Sequence, residues 1–166
     1  MKVSANEVVT LATKAARGGG APPGQAADFG RAALRHLLEG RTPAALSHAL
    51  AALPNGPILT LPLQIARLLE QAGERTATGF LPIEGNAELA ESYVQSQPFA
   101  AETRHSDAAM SVTFSLDAPN NLRAVARVDL SDALAQQMQH LAAKILVPES
   151  AASRLSGAGA GLTDND

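Results

Sequence analysis

The sequence predicts an α+β fold, and three observations carry that expectation. Residues 1–73 repeat helix-start and helix-stop signals around apolar stripes of helical period. Residues 110–116 alternate apolar and polar side chains without a slip, as a strand with one buried face does. A shorter helical pattern then returns after Ser131. The expected architecture is a helical N-terminal half packed on a small antiparallel sheet (hairpin 110–128), closed by a C-terminal helix and an extended Gly-Ala tail. At 166 residues the chain is read as a single domain. It divides into a helical half (1–73), a mixed half (79–147) and the tail (148–166).

Ser4-Ala5-Asn6-Glu7 has the pattern of a capping box, in which the serine oxygen meets the amide of the third helical residue and the glutamate reaches back. Val8, Leu11, Ala12 and Ala15 then share a face, and Gly18-Gly19-Gly20 ends the helix. Pro22-Pro23 opens a second helix with Ala26, Phe29, Ala33 and Leu37 inward and Gly40 at its end. Thr42-Pro43 starts a third, whose stripe is Leu46, Leu50 and Leu53. After the Pro54–Pro57 turn, Ile58–Leu61 reads as a short strand or an extended entry. Pro62 then starts a fourth helix with Ile65, Leu68 and Leu69 inward.

Gly79–Ile83 fits an edge strand, since Pro82 bars a central place in a sheet. Residues 87–95 favour a short helix, and 97–107 leave strand or loop open. The alternation of 110–116 puts Met110, Val112, Phe114 and Leu116 on the core face. Residues 122–128 alternate too, apart from Val125, and 117–121 would join the two as a hairpin. Ser131 caps the last helix, with Leu134, Met138, Leu141 and Ile145 inward, and Pro148 stops it.

Composition sets bounds on function. There is no cysteine, so neither a disulfide nor a thiolate metal site is available. Aromatic residues are 3% of the chain and roughly a fifth is alanine. Alanine buries little area per residue, so the core needs thin, closely packed helices or a second copy to complete it. Homo-oligomerisation is expected for that reason, through leucines on the outside of the N-terminal helices. The net charge of −3 argues against non-specific nucleic-acid binding. No run reaches the length of a membrane span, and Met1–Glu7 lacks an apolar signal core, so a cytoplasmic protein without membrane contact is expected.

The tail holds most of the candidate chemistry. Gly157, Gly159 and Gly161 would let backbone amides approach an anion, with Arg154 supplying charge. Asp164 and Asp166 are hard oxygen donors, but without the spacing of a calcium loop they read as a solvated acidic end. The competing reading is a tail laid into a groove and anchored by Leu155 and Leu162. Arg17 ends the basic last turn of the first helix, where it complements the helix dipole or binds a carboxylate or phosphate. His36, His48, His105 and His140 have no metal-ligand spacing, so no metal site is assigned. His105 and Asp107, beside Thr103 and Ser106, form the most reactive-looking cluster, although triads usually draw their members from separate elements. Arg123 and Arg127 would stand about 13 Å apart on one strand face and bracket an acidic ligand, or lie solvated.

Lys14-Ala15-Ala16-Arg17-Gly18-Gly19-Gly20 and the segment from Arg154 to Asp166, which reads RLSGAGAGLTDND, resemble a bacterial family catalogued as domain of unknown function 3726. Where that family carries a tryptophan soon after the first glycines, this chain has Pro22-Pro23-Gly24. The resemblance implies that the Ala-Arg-Gly turn and the tail are family hallmarks; it implies no activity and no cofactor. The leading expectation is a non-catalytic binding or accessory protein that homo-oligomerises. The alternative is a small enzyme acting on an anionic metabolite near the tail, joining Arg17 to Arg154, Asp164 and Asp166.

Overall fold

The computed structural model describes residues 1–83, 85–120 and 127–145. Its elements run β1 (Lys2–Val3), α1 (Ala5–Gly18), α2 (Pro23–Leu38), α3 (Pro43–Ala51), α4 (Pro57–Glu70), β2 (Thr76–Pro82), α5 (Ala87–Gln95), β3 (Phe99–His105), β4 (Ala109–Pro119), β5 (Val128–Asp129) and α6 (Asp132–Ala143). The fold is α+β, as the patterning predicts.

The helix starts follow local chemistry. Both halves of the Ser4–Glu7 capping box form: the Glu7 amide donates to Ser4 Oγ at 3.2 Å, and the Ser4 amide to the Glu7 carboxylate at 2.6 Å. The bond from the Ser4 amide is the main reason the Glu7 carboxyl titrates below its usual range. Ser131 caps α6 by accepting from the Leu134 amide. Proline occupies the first turn of α2, α3 and α4, where its missing N–H costs nothing.

The helical layer centres on α2, which packs between α1 and α5, while α6 lies along α1. The alanines explain how. Ala12, Ala15 and Ala16 of α1 and Ala26, Ala32 and Ala33 of α2 are fully buried. With so little bulk the backbones come close: a Cβ at Gly30 would stand 2.2 Å from Thr13 Oγ1 and 2.8 Å from the Val9 carbonyl. Gly18 is tighter still, since a Cβ there would meet the Leu141 carbonyl oxygen of α6 at 1.8 Å. Phe29, Tyr93 and Phe114 supply the large buried side chains.

Two expectations are corrected. The strand at 110–116 does not form the expected hairpin with 122–128, of which residues 122–126 lie outside the described residues. It lies within β4, the central strand of a sheet ordered β2-β4-β3, so both of its edges are taken. Val128 pairs instead with Val3, making a two-stranded ribbon of β1 and β5. The face assignment holds, because side-chain period does not depend on the partner: Met110, Val112 and Phe114 are fully buried, and Leu116 is half-buried. The fourth helix starts at Pro57, not Pro62, so Ile58–Leu61 is helical and Pro62 sits buried inside the helix. A four-residue apolar run fits a strand and a buried helix turn equally well.

The edge strand at 79–83 is β2, the open segment 97–107 becomes β3, and the short helix at 87–95 is α5. Arg123, Arg154, Gly157, Gly159, Gly161, Asp164 and Asp166, with the anchors Leu155 and Leu162, lie outside the described residues.

Candidate functional site

The turn from α2 to α3 builds a polar cluster that sequence reasoning missed. Gly40 takes φ 66°, a left-handed conformation that suits glycine. It reverses the chain, so Arg41 and Thr42 return over the end of α2 toward α5. His36, in the last turn of α2, is fully buried. Its Nε2 lies 2.9 Å from the Thr42 carbonyl and its Nδ1 2.9 Å from Ser92 Oγ. Ser92, on α5, is also fully buried.

These partners fix the protons. Burial pushes the His36 imidazole below its ordinary pKa, and the Arg41 guanidinium pushes the same way. A carbonyl only accepts, so the neutral ring carries its hydrogen on Nε2, and Nδ1 accepts. The single Ser92 proton then lies between two acceptors, His36 Nδ1 and the Glu88 carbonyl at 2.7 Å, while Arg41 Nη1 donates to the Ser92 oxygen at 2.8 Å. A hydroxyl between an imidazole and a guanidinium has the polarity of an activated nucleophile, but this one is sealed from solvent. Its role is to hold Arg41.

Arg41 is further held by Gln95 Oε1 at 2.7 Å, and its Nη2 lies 3.8 Å from the Glu91 carboxylate. Arg35 donates to the same Gln95 oxygen at 3.3 Å and pairs with Glu39 at 2.9 Å. One amide oxygen thus sets two guanidinium groups side by side. Both line a groove of about 940 Å³ between the α2–α3 turn and β5, whose other charged groups are Arg127, Glu39 and Asp129. Arg127 is exposed and makes no hydrogen bond or ion pair with any described residue. Among the described residues of the lining, three cations stand against two carboxylates, one net positive charge, on a chain whose net charge is −3.

The predicted residues fall elsewhere. Arg17 is exposed at the end of α1, outside this groove. His105 ends β3, and its carboxylate partner is Glu91 of α5, at 3.1 Å, not Asp107. Asp107 is exposed in the β3–β4 turn, and Ser106 Oγ donates to the Ala109 carbonyl at 2.8 Å. The neighbouring hydroxyl, Thr103, donates to Glu91 at 3.3 Å. His105, Ser106 and Asp107 therefore do not assemble as base, nucleophile and orienting acid. Among the described residues no group of three or more His, Asp or Glu side chains is placed to hold a metal ion, and no helix is long and apolar enough to cross a membrane.

Sequence signals for the groove did exist. His36 lies on the buried side of α2 with Phe29, Ala32 and Ala33, where a polar side chain needs a partner. A basic residue directly after a helix-ending glycine is also placed to fold back over the helix end.

Fold and groove together define an α+β domain with a basic surface cleft. No protein-family model, no curated protein and no solved structure matches the chain.

Proposed function

We propose that this is a non-catalytic binding or accessory protein that self-associates, and that it takes an anionic group, a carboxylate or phosphate, in the groove of Arg35, Arg41 and Arg127. The observation that carries the reading is the shared Gln95 oxygen, which presets Arg35 and Arg41 before any ligand arrives. Preorganised guanidinium groups lose less freedom on binding an oxyanion and offer paired donors to it. Arg127, just before β5, is exposed and makes no hydrogen bond or ion pair with a described residue, Glu7 being only a longer-range electrostatic neighbour, so it can add a third guanidinium to the ligand.

The alternative, a small enzyme acting on an anionic metabolite, draws its support from the half-exposed Glu91–His105 pair. We further propose membership in the bacterial family of domain of unknown function 3726, supported by residues 14–20 and 154–166. The bacterial and cytoplasmic setting belongs to that proposal.

Thermal melting in inorganic phosphate and in succinate, against chloride at matched ionic strength, tests the groove. Both anions should raise the melting temperature of the wild type, and Arg127→Ala should lose the increment. An equal increment in Arg127→Ala would reject the groove as the site.

A further inference from the structure

The two edges of the three-stranded sheet differ. On β3 the solvent side carries Glu102 and Arg104, and a register shift interrupts its ladder at Phe99/Ala100. Charges and bulges are the usual protection of an edge against pairing with another chain. The β2 edge has neither, and its one edge-blocking residue, Pro82, stands at its end. Its outward side chains are Thr76, Thr78, Phe80 and Pro82, all exposed, and Phe80 at 77% is the most exposed large apolar residue among those described.

The backbone of β2 shows which groups point outward. The Leu116 amide donates to the Arg75 carbonyl, and the Ile83 amide to the Ala108 carbonyl. With the observed register, this makes the odd-numbered residues of β2 the ones bonded to β4. The N–H and C=O groups of Thr78 and Phe80 therefore face the open edge. At one end, the Thr76 carbonyl already accepts from the Gly73 amide at 2.9 Å. At the other, Pro82 has no N–H to give. Among the described residues nothing pairs with this edge: Thr78 and Phe80 offer both groups, while Thr76 keeps only its N–H and Pro82 only its C=O.

We propose that β2 pairs antiparallel with β2 of a second copy of this chain, about a twofold axis at Gly79, with Thr78 opposite the partner's Phe80. The juxtaposition that carries this is the match between the two half-closed ends, the Thr76 N–H falling opposite the partner's Pro82 carbonyl. In this register Thr78 and Phe80 exchange both backbone hydrogen bonds with the partner's Phe80 and Thr78, four in all. The occupied Thr76 carbonyl faces the partner's Pro82, which has nothing to donate. Shifting the axis to Thr78 would set the Phe80 amide against an occupied carbonyl. Shifting it to Phe80 would leave the Thr78 carbonyl facing a proline. One register alone satisfies the edge, and it is symmetric, as an isologous dimer requires. The two Phe80 rings fall on the diagonal of the new ladder, roughly 7–8 Å apart and within reach of each other. The two three-stranded sheets become one of six. This deepens the self-association proposed above and moves the contact from the outer leucines of the helices to the sheet edge.

Sedimentation velocity between about 5 and 500 µM, with amide hydrogen exchange at both ends of that range, tests the interface and self-association separately. Thr78→Pro removes an edge-facing N–H that β4 does not use, a position where proline is tolerated in a sheet. Phe80→Lys places a charge on the same edge. Circular dichroism establishes that both variants are folded. The expected result is a dimer in the wild type, loss of at least tenfold in association for both variants, and slowed exchange at Thr78 and Phe80 only at high concentration. A dimer that survives Thr78→Pro, with the Thr78 and Phe80 amides of the wild type unprotected at high concentration, would overturn the interface while leaving self-association in place. A monomer throughout would overturn both.

Discussion

Replacing Ser92 by alanine isolates the hydroxyl that holds Arg41 at the groove. Among the described residues Ser92 Oγ is the only hydrogen-bond partner of His36 Nδ1, and both residues are fully buried. The variant leaves that ring nitrogen in the interior with no partner, which costs about 1–3 kcal/mol. Arg41 also loses one of its donor contacts, but its side chain is 13% exposed and keeps Gln95, so water recovers part of that loss. The Glu88 carbonyl loses an additional donor, not its helical one. The sum is about 2–4 kcal/mol, a large share of the stability of a domain this size. Urea unfolding should show a lower midpoint at unchanged slope, because the packed surface is the same. A loss under about 0.5 kcal/mol would mean that the His36–Ser92–Arg41 arrangement is incidental.

Two further outcomes follow from the same contacts. Gly18→Ala should destabilise by about 1–3 kcal/mol or more, because its Cβ would strike the α6 backbone; Gly24→Ala, with open space around it, should gain roughly 0.5–1 kcal/mol of helix propensity, and equal effects in thermal melting would refute the close α1–α6 approach. The depressed pKa of buried His36 sets a pH dependence: below about 6.5 the unfolded chain binds a proton that the folded ring refuses, so stability falls as pH drops from 7 toward 5. His36→Gln should flatten that slope, whereas Glu7, whose pKa is lowered from 4.5, acts only at lower pH.

The residues that were legible in the sequence are those whose cause is local. The Ser4–Glu7 box, the proline-led helices and the alternation of Met110 to Phe114 each act within a few positions. The partners of β4 are not legible: both precede it in the chain, one of them beyond α5, and a strand's alternation says nothing about which strand lies beside it. The site failed for the same reason. Arg41 meets Ser92 and Gln95 across 51 and 54 residues, so no spacing motif announces the cluster. Gly18 shows the converse. Its sequence position marks a helix stop, and the structure adds a packing reason, the Leu141 carbonyl standing where a Cβ would go.

The central claim, an anion held by Arg35, Arg41 and Arg127, is tested most directly by following the arginine side-chain Nε–H resonances while inorganic phosphate is titrated in. The account predicts saturable shifts at those three arginines at constant ionic strength, with Arg17 and Arg67 unmoved. Shifts centred on Arg17, or uniform unsaturable drift at every arginine, would contradict it.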